Sequence, residues 1–342
     1  MKIFNHRLLL VLFALQFILQ ANLAQAQQPN VNFQGNYLQY PAMRSFIERM
    51  VNHGFNRDYL IQTFSRVTRN EKILASAASP AEAKLWRSYR PIFLTETRIQ
   101  TGVNFWNTHQ QVLQAASRQF GIPAEYLVAI IGVETFYGRN TGKHSVLRSL
   151  TTLAMDFPKR SKFYTSELEH YFLLLREEGL LDPHALRGSY AGAMGLGQFI
   201  SSSYRQYAID YNGDGHRDLW SPEDAIGSVA NYFKAHGWKA GEDVAIPARL
   251  LGPRYVNIIN TRAAKPTLPL IQMIGYDAQP IGRFNSQYVG LLELIGTDGV
   301  EYWVTGENFY VITRYNHSPK YAMVVFQLAQ EIKSRKQLQK RY

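Results

Sequence analysis

The pattern of hydrophobic and polar positions divides the chain into two regions. From about Tyr40 to Tyr207 the apolar positions follow a helical pattern, which Gly, Pro and Asn divide into segments. This pattern predicts a helical region in which each helix buries one face. The predicted helices include Pro41–His53, Pro80–Tyr89, Arg98–Phe120 and Ser166–Glu178.

The pattern changes after Trp238. Residues 243–310 contain short runs rich in β-branched and aromatic residues, separated by turn residues such as Gly296-Thr-Asp-Gly299. A helical pattern returns from about Tyr321 to Gln339, so we expect a mainly α (α+β) fold with a small antiparallel sheet inserted into a helical domain. The predicted strand segments are Val244–Ile246, Tyr255–Ile259, Tyr288–Leu294, Glu301–Val304 and Phe309–Thr313.

Glu134 is the single charge in the apolar run Tyr126–Tyr137. Pro123 stands where a helix is expected to begin, and Gly138 is the expected stop. Because apolar residues occupy every side, we expect a fully buried helix with the Glu134 carboxyl in packed surroundings. Burial and the negative end of the helix dipole raise the pKa of such a carboxyl. A protonated acid suits catalysis at a glycosidic oxygen, and a structural acid is the alternative.

Residues 1–26 have the features of a secretory leader, with Lys2 and Arg7, an apolar stretch Leu8–Leu19 and small residues at Ala24-Gln-Ala26. The stretch is shorter than the roughly 20 residues that a membrane span needs, and no second span is predicted in the mature chain. The chain has no cysteine, so neither a lipid-modified cysteine nor a disulfide is expected.

The composition indicates a basic exported protein. The formal net charge is +11, and removal of the leader lowers it by two. A positive protein is attracted to anionic polymers and surfaces, although charge does not identify the partner. The sequence lacks paired Cys/His ligands and aromatic RNA-binding motifs, so no nucleic-acid partner is predicted.

The segment from Asp210 to Trp220 matches the first half of an EF-hand calcium loop. Oxygen side chains alternate at Asp210, Asn212 and Asp214, a glycine follows, and His216 supplies a backbone carbonyl. The twelfth position is Ser221 and not the usual Glu, which leaves two readings open. Asp224 closes an enlarged loop around Ca²⁺, or Ser221, Pro222 and Asp224 begin the helix predicted over Ala225–Phe233. A structural cation site is favoured.

A glycine-rich segment, Gly188–Phe199, contains four glycines within ten residues. It matches neither a dinucleotide loop nor a P-loop, so close backbone packing and substrate binding are the two interpretations. In the second, Ser189 and Gln198 bind substrate hydroxyl or amide groups, with Tyr190 and Met194 as an apolar wall. Motifs for catalytic zinc, a serine nucleophile or a thiol nucleophile are missing from the sequence.

Four ordered motifs together resemble the family of membrane-bound lytic murein transglycosylase B, which corresponds to glycoside hydrolase family 103. The resemblance extends from about Asn36 to Gln330. The motifs are Val133-Glu134-Thr-Phe-Tyr-Gly138, Gly188-Ser-Tyr-Ala-Gly-Ala-Met-Gly195 with Gln198-Phe199, Asp210 to Trp220, and Thr313-Arg-Tyr315-Asn316-His-Ser318 with Tyr321.

The resemblance implies a lysozyme-like catalytic core joined to an α-domain and a small inserted β-domain. Expected segments are a signal peptide (1–26), an α-domain (27–110, with helix 321–342 packing back), a core (111–238 and 311–320, with a calcium loop at 210–224) and a β-domain (239–310).

The implied activity is cleavage of the β-1,4 bond between N-acetylmuramic acid and N-acetylglucosamine in peptidoglycan, with 1,6-anhydro ends as product. Glu134 is the implied acid and then base. This accounts for the lack of a second catalytic carboxyl, since Asp156, Glu167 and Glu169 are expected on solvated helix faces. The implied substrate contacts are Ser189, Gln198, Tyr232, Tyr315, Asn316 and Tyr321, and the implied Ca²⁺ ligands are Asp210, Asn212, Asp214, His216 (backbone) and Asp224.

The best-known members of the family carry a lipid-modified cysteine after the leader, and this chain has none. We therefore expect a soluble periplasmic protein, or one held loosely to the membrane by charge. A monomer is expected, with peptidoglycan strands as partner and cell-wall synthesis proteins as further candidates. Two rival functions remain open from the sequence. One is a hydrolytic muramidase on the same fold, and the other is a non-catalytic peptidoglycan-binding scaffold.

Overall fold

A computed structural model describes residues 36–79, 84–260, 262 and 265–339. The predicted leader, residues 1–26, lies outside the described residues. The helices are α1 (Pro41–Asn52), α2 (Arg57–Ser65), α3 (Glu71–Ala78), α4 (Trp86–Phe93), α5 (Glu96–Thr108), α6 (Gln110–Phe120), α7 (Ala124–Thr135), α8 (Val146–Asp156), α9 (Ser161–Glu177), α10 (Ser201–Tyr207), α11 (Pro222–Ala235), α12 (Glu307–Tyr315) and α13 (Pro319–Gln339).

Seven strands accompany these helices in the described part of the chain. The first two form a short antiparallel pair, and the other five form an antiparallel sheet in the order β4-β6-β7-β3-β5. The strands are β1 (His144–Ser145), β2 (Arg187–Gly188), β3 (Ala245–Leu250), β4 (Leu268–Pro269), β5 (Ala278–Pro280), β6 (Tyr288–Ile295) and β7 (Val300–Thr305).

Helix α7 lies at the centre of the helical region and packs against α5, α6, α11 and α13. Every residue from Ala124 to Val133 is buried, as the apolar run predicted. The last helix, α13, also packs against α4 and α5, so the end of the chain returns to earlier helices. This packing brings Tyr321, at the start of α13, to the carboxyl end of α7.

The five-stranded sheet lies between two hydrophobic clusters. Successive residues of a strand point to opposite faces, and in β6 Leu291 belongs to a small cluster while Leu292 belongs to the large helical core. The small cluster is formed by Met273, Ala278, Phe284, Val289, Leu291 and Val304. The β-rich region therefore has a core of its own and also covers the helical core. Tyr37–Tyr342 form one compact unit, and the domain boundaries inside it stay a prediction.

Two predicted strands are wrong. The run Tyr255–Ile259 begins in a 3-10 helix, Pro253–Asn257, because Pro253 favours a turn start and Arg254 is fixed by Asp277 at 2.7 Å. The run Phe309–Thr313 lies in α12, where Asn308, Val311 and Ile312 are buried at helical spacing. Glu307 in the first turn suits the positive end of that helix.

Two predicted helices differ from the structure. The single helix expected over Arg98–Phe120 is divided at His109, because α5 packs against α13 whereas α6 packs against α11. The helix expected over Pro80–Tyr89 is α4 and begins at Trp86; residues 80–83 lie outside the described part. None of the helices described is long and apolar enough to cross a membrane.

Candidate active site and cation-binding loop

The carboxyl of Glu134 lies at the end of α7. Glu134 is half-buried, whereas the other residues of this helix are buried. Its Oε1 accepts a hydrogen bond from the hydroxyl of Tyr321, 2.5 Å away, which α13 brings to this end of the helix. The carboxyl is therefore held by a buried donor on one side and is partly exposed on the other.

The helix ends sooner than predicted, and Pro123 caps it instead of being its first residue. Three left-handed residues follow, with φ of 52° at Phe136, 60° at Tyr137 and 86° at Gly138. Left-handed conformations are unfavourable for bulky residues, so packing has to hold them. The Tyr137 ring does so by filling the space beside Gly102 and Gly132, where an added Cβ would lie 2.4 Å and 2.5 Å from its hydroxyl.

Two of the predicted tyrosines, Tyr315 and Tyr321, lie near Glu134, and a third, Tyr232, packs against Tyr315. Tyr321 is buried, the Tyr315 hydroxyl donates to the carbonyl of Gly197 at 2.6 Å, and the Tyr232 hydroxyl donates to the carbonyl of Arg314 at 2.7 Å. The rings of Tyr232 and Tyr315 are 4.8 Å apart. Burial raises the pKa of Tyr315 and of Tyr321, and the nearby charge of Glu134 raises both further. These hydroxyls therefore stay protonated as donors.

The glycine-rich segment forms tight antiparallel turns. Ser189 Oγ accepts the backbone N–H of Ala193 at 3.0 Å, which closes the first turn. Gln198 has a φ of 51°, and its Nε2 donates to the carbonyls of Thr141 at 3.0 Å and Gly195 at 2.9 Å. With both amide protons bound by the backbone, Gln198 offers its Oε1 to a substrate donor.

The other predicted substrate contacts differ in how exposed their side chains are. Tyr190 and Asn316 are half-buried, as a cleft residue can be. Met194 is fully buried and pairs through its backbone with Gly188 and Phe199, so its side chain packs beneath the loop instead of forming an accessible apolar wall.

The three carboxyls considered as a second catalytic group have structural partners. Asp156 accepts a hydrogen bond from Tyr37 at 2.6 Å, and Glu167 accepts the N–H of Ser202 at 2.9 Å. Glu169 pairs with Arg49. The expectation of solvated helix faces is wrong for Asp156, whose side chain is 5% exposed, and for Glu167, which is 4% exposed.

The loop that precedes α11 gathers three carboxylates. One oxygen from each of Asp210, Asp214 and Asp224 lies within 4.8 Å of the others. Asp210 also accepts the N–H groups of Gly213 at 2.7 Å and Gly215 at 2.8 Å, so the backbone wraps around it. Converging like charges are unfavourable without a cation. The donor set, all oxygen, fits Ca²⁺.

Asp224 links this loop to α11. It is fully buried in the first turn of the helix, and its carboxylate accepts the N–H groups of Tyr211, Asn212 and Asp218 at 2.8, 3.1 and 2.8 Å. Ser221 is the N-cap residue and Pro222 the first residue of α11, as the second reading predicted, but the capping box does not form, because Asp224 accepts loop N–H groups and Ser221 makes no side-chain cap bond. Asn212 donates to Asp214 at 3.0 Å, and the His216 N–H donates to Asp214 at 2.9 Å.

Sequence reasoning missed Thr135. This residue follows Glu134 and is fully buried, and its hydroxyl contacts three backbone groups at the end of α7. A threonine beside a lone charge in an apolar helix is a polar residue that needs a partner when buried. The sequence therefore indicated that Thr135 needs a hydrogen-bond partner. It could not identify the partner, because Leu196 is 61 positions away.

The chain is similar to known proteins over most of its length. A family model described as Transglycosylase SLT domain matches residues 39–330. Membrane-bound lytic murein transglycosylase B of Escherichia coli (strain K12) is 42% identical over 321 residues, covering 91% of this chain and 88% of that protein.

Two solved structures are similar over most of the chain. The crystal structure of soluble lytic transglycosylase SltB1 from Pseudomonas aeruginosa has 46% identity and a TM-score of 0.80, covering 85% of this chain and 98% of that chain. The structure of the Escherichia coli lytic transglycosylase Slt35 in complex with calcium has 41% identity and a TM-score of 0.81, covering 90% and 98%.

Proposed function

The chain belongs to the family of membrane-bound lytic murein transglycosylase B and is a peptidoglycan lytic transglycosylase with a lysozyme-like fold; from this premise we propose that Glu134 is its single acid and base. The observation that supports this role most directly is the half-buried carboxyl at the end of α7, bound by the buried Tyr321 hydroxyl. Asp156, Glu167 and Glu169 are each bonded to structural partners.

In the proposed reaction, protonated Glu134 donates its proton to the glycosidic oxygen that links N-acetylmuramic acid to N-acetylglucosamine. The bond between that oxygen and the anomeric carbon breaks. The 6-hydroxyl of the muramic acid then attacks its own anomeric carbon and gives its proton to Glu134, which restores the acid. No water is consumed, so a second carboxylate to activate water is not required.

The aromatic and amide groups near Glu134 are proposed to hold the glycan. Tyr315 is half-buried, and its ring is proposed to face a sugar. Tyr232 and Tyr321, which are 8% and 2% exposed, are proposed to support the site from the packed side. Gln198 accepts from a hydroxyl or acetamido N–H, and Ser189, Tyr190 and Asn316 complete the proposed contacts. Because the hydroxyl of Tyr315 is bonded to a backbone carbonyl, we expect this tyrosine to act through its ring.

We propose that Asp210, Asn212, Asp214, Asp224 and the His216 carbonyl hold a structural Ca²⁺ in an EF-hand-like loop. The three converging carboxylates support this proposal. The solved Slt35 structure is a complex with calcium, which agrees with a calcium site in this family. When bound, the ion would neutralise the carboxylates and fix the loop to the start of α11; it takes no part in the chemistry.

We also propose that the mature protein works in the periplasm without a lipid anchor. The leader pattern and the lack of cysteine support this location. The relative SltB1 is described as soluble, whereas the relative from Escherichia coli is membrane-bound, so both forms occur among relatives.

The separate small hydrophobic cluster supports a proposed β-domain over 239–310. The other proposed domains are an α-domain (27–110 with 321–342) and a core (111–238 and 311–320).

Product analysis tests the proposed chemistry. Digestion of purified peptidoglycan is expected to give 1,6-anhydro ends, and Glu134→Gln is expected to give none. A hydrolytic muramidase would give reducing ends, and a non-catalytic scaffold would bind glycan strands without cleaving them.

A further inference from the structure

We propose that Thr135 is a positioning residue for the reaction. Its hydroxyl fixes the Glu134 end of α7 to the Gly195–Gly197 segment, and so sets the separation between Glu134 and Gln198. The inference rests on the proposed role of Glu134 as the acid and base. It concerns a side chain that faces the packed interior and does not contact the substrate itself.

Thr135 Oγ1 lies between three backbone groups. It is 3.0 Å from the carbonyl oxygen of Leu196 and 3.1 Å from that of Ile131, and it accepts the N–H of Gly138 at 3.0 Å. The single hydroxyl proton is shared between the two carbonyls. Because the left-handed residues that end α7 interrupt the helical bonding, this hydroxyl takes the place of bonds that a continuing helix would make.

The bond to Leu196 is one of three that hold consecutive carbonyls. The carbonyl of Gly195 accepts from Gln198 Nε2 at 2.9 Å, that of Leu196 from Thr135, and that of Gly197 from the Tyr315 hydroxyl at 2.6 Å. The three donors come from the loop itself, from α7 and from α12. Two of them, Gln198 and Tyr315, belong to the proposed substrate site, and the third neighbours the catalytic Glu134.

Close packing around the Gly195–Gly197 segment restricts its movement. A Cβ added at Gly197 would lie 2.9 Å from the Tyr315 hydroxyl, and the Leu196 N–H also donates to the carbonyl of Leu219 at 2.8 Å. The segment is thus held by α12 and by Leu219, and the Thr135 hydroxyl holds it to α7. Loss of the Thr135 hydroxyl would release this contact, and a displacement near 1 Å at a reacting group can lower the rate about 100-fold.

The test compares Thr135→Val, which keeps the shape but removes the hydroxyl, with Thr135→Ser, which keeps the hydroxyl. We expect Thr135→Val to lower kcat on soluble glycan strands on the order of 10- to 100-fold with KM within about twofold. Thr135→Ser is expected to keep kcat within a few-fold of the wild type. Should the valine variant fail to fold, Thr135→Ala removes the same hydroxyl without placing a methyl group against the carbonyls.

Thr151→Val is the matched control, since Thr151 is also a fully buried helical threonine and its hydroxyl has no hydrogen-bond partner among the described residues. It is expected to retain wild-type kcat. Wild-type kcat in Thr135→Val, or equal impairment of the valine and serine variants, would overturn the positioning role. Absence of 1,6-anhydro ends from the wild-type enzyme would instead overturn the proposed function.

Discussion

Glu134 and Tyr321 meet although 187 positions separate them. The contact depends on α13, which crosses the carboxyl end of α7 and places a buried hydroxyl against the carboxyl. A hydrogen bond to a charged group is worth about 1.5–3 kcal/mol, and it also restricts where the carboxyl points. We therefore expect Tyr321 to orient the proposed acid and base from the buried side of the carboxyl.

Tyr321→Phe removes this hydroxyl and keeps the ring. We expect kcat to fall about tenfold, because the Glu134 carboxyl loses the donor that orients it. Steady-state kinetics on soluble glycan strands provides the measurement. Tyr171→Phe is the matched control, since it removes a buried hydroxyl bonded to the carbonyl of Pro183 at 2.8 Å. The control is expected to cost about 1 kcal/mol of stability and no activity. Equal kcat in the two variants would contradict the orienting role.

The sequence identified Glu134 because a charge in an apolar run is conspicuous. It did not identify how the carboxyl is held. The hydroxyl donors of Tyr321, Tyr315 and Thr135 reach their partners only through the packing of distant segments. For Met194 the sequence predicted an accessible side chain, and the side chain is buried. A position within a glycine-rich motif does not indicate which way the side chain points.

At the scale of elements, Asp224 joins the loop from Asp210 to the first turn of α11. The alternating oxygen side chains were readable from the sequence, and the structure adds that Asp224 holds three loop N–H groups while it is buried in α11. A cation here would therefore stabilise both the loop and the start of that helix.

Calcium is expected to raise the Tm of the wild type by several degrees, because a ligand at 100 times its Kd adds about 2.7 kcal/mol to the free energy of unfolding. Asp214→Ala, which removes one of the converging carboxylates, is expected to abolish the rise. Asp298→Ala removes an exposed carboxylate from a turn of the β-region and serves as the control. Calorimetry with calcium and with chelator gives the measurement. An equal Tm of the wild type with calcium and with chelator would exclude a stabilising calcium site in this loop.

Most helices and three of the strands were predictable because their period of burial is regular. The wrong strands at Tyr255–Ile259 and Phe309–Thr313 are short runs rich in aromatic and β-branched residues, a composition typical of strands and permitted in helices. Their conformation was decided by neighbours: Arg254 is bound by Asp277, and α12 packs against α13. Short apolar runs carry too little local information to resolve this choice.

At the scale of the whole molecule, the partial burial of several histidines should make the folded state less stable in mild acid. Partial burial lowers the pKa of His109, His144 and His236, so the folded state favours their neutral rings. His236 also stacks on Tyr232 with ring centroids 4.0 Å apart. A lowered pKa contributes stability that is present above the unfolded pKa, about 6.5, and is lost as pH falls below it.

We therefore expect the Tm to fall as the pH is lowered from about 7.5 to 5.5, before most carboxylates titrate. Scanning calorimetry across this range measures the effect. His236→Gln removes one half-buried ring whose protonation is disfavoured in the folded state, and it is expected to make the decline shallower. A Tm that stays constant or rises over the same range would show that these histidines do not control acid stability.

In the proposed reaction, a single carboxyl replaces the usual pair because the substrate supplies its own nucleophile. The direct measurement is mass spectrometry of peptidoglycan digested in water enriched in ¹⁸O. The wild type is expected to release muramic acid ends that lack one water and carry no ¹⁸O, and Glu134→Gln is expected to release none. Reducing ends that contain ¹⁸O would show that water is the nucleophile, and would exclude the proposed attack by the 6-hydroxyl of the substrate.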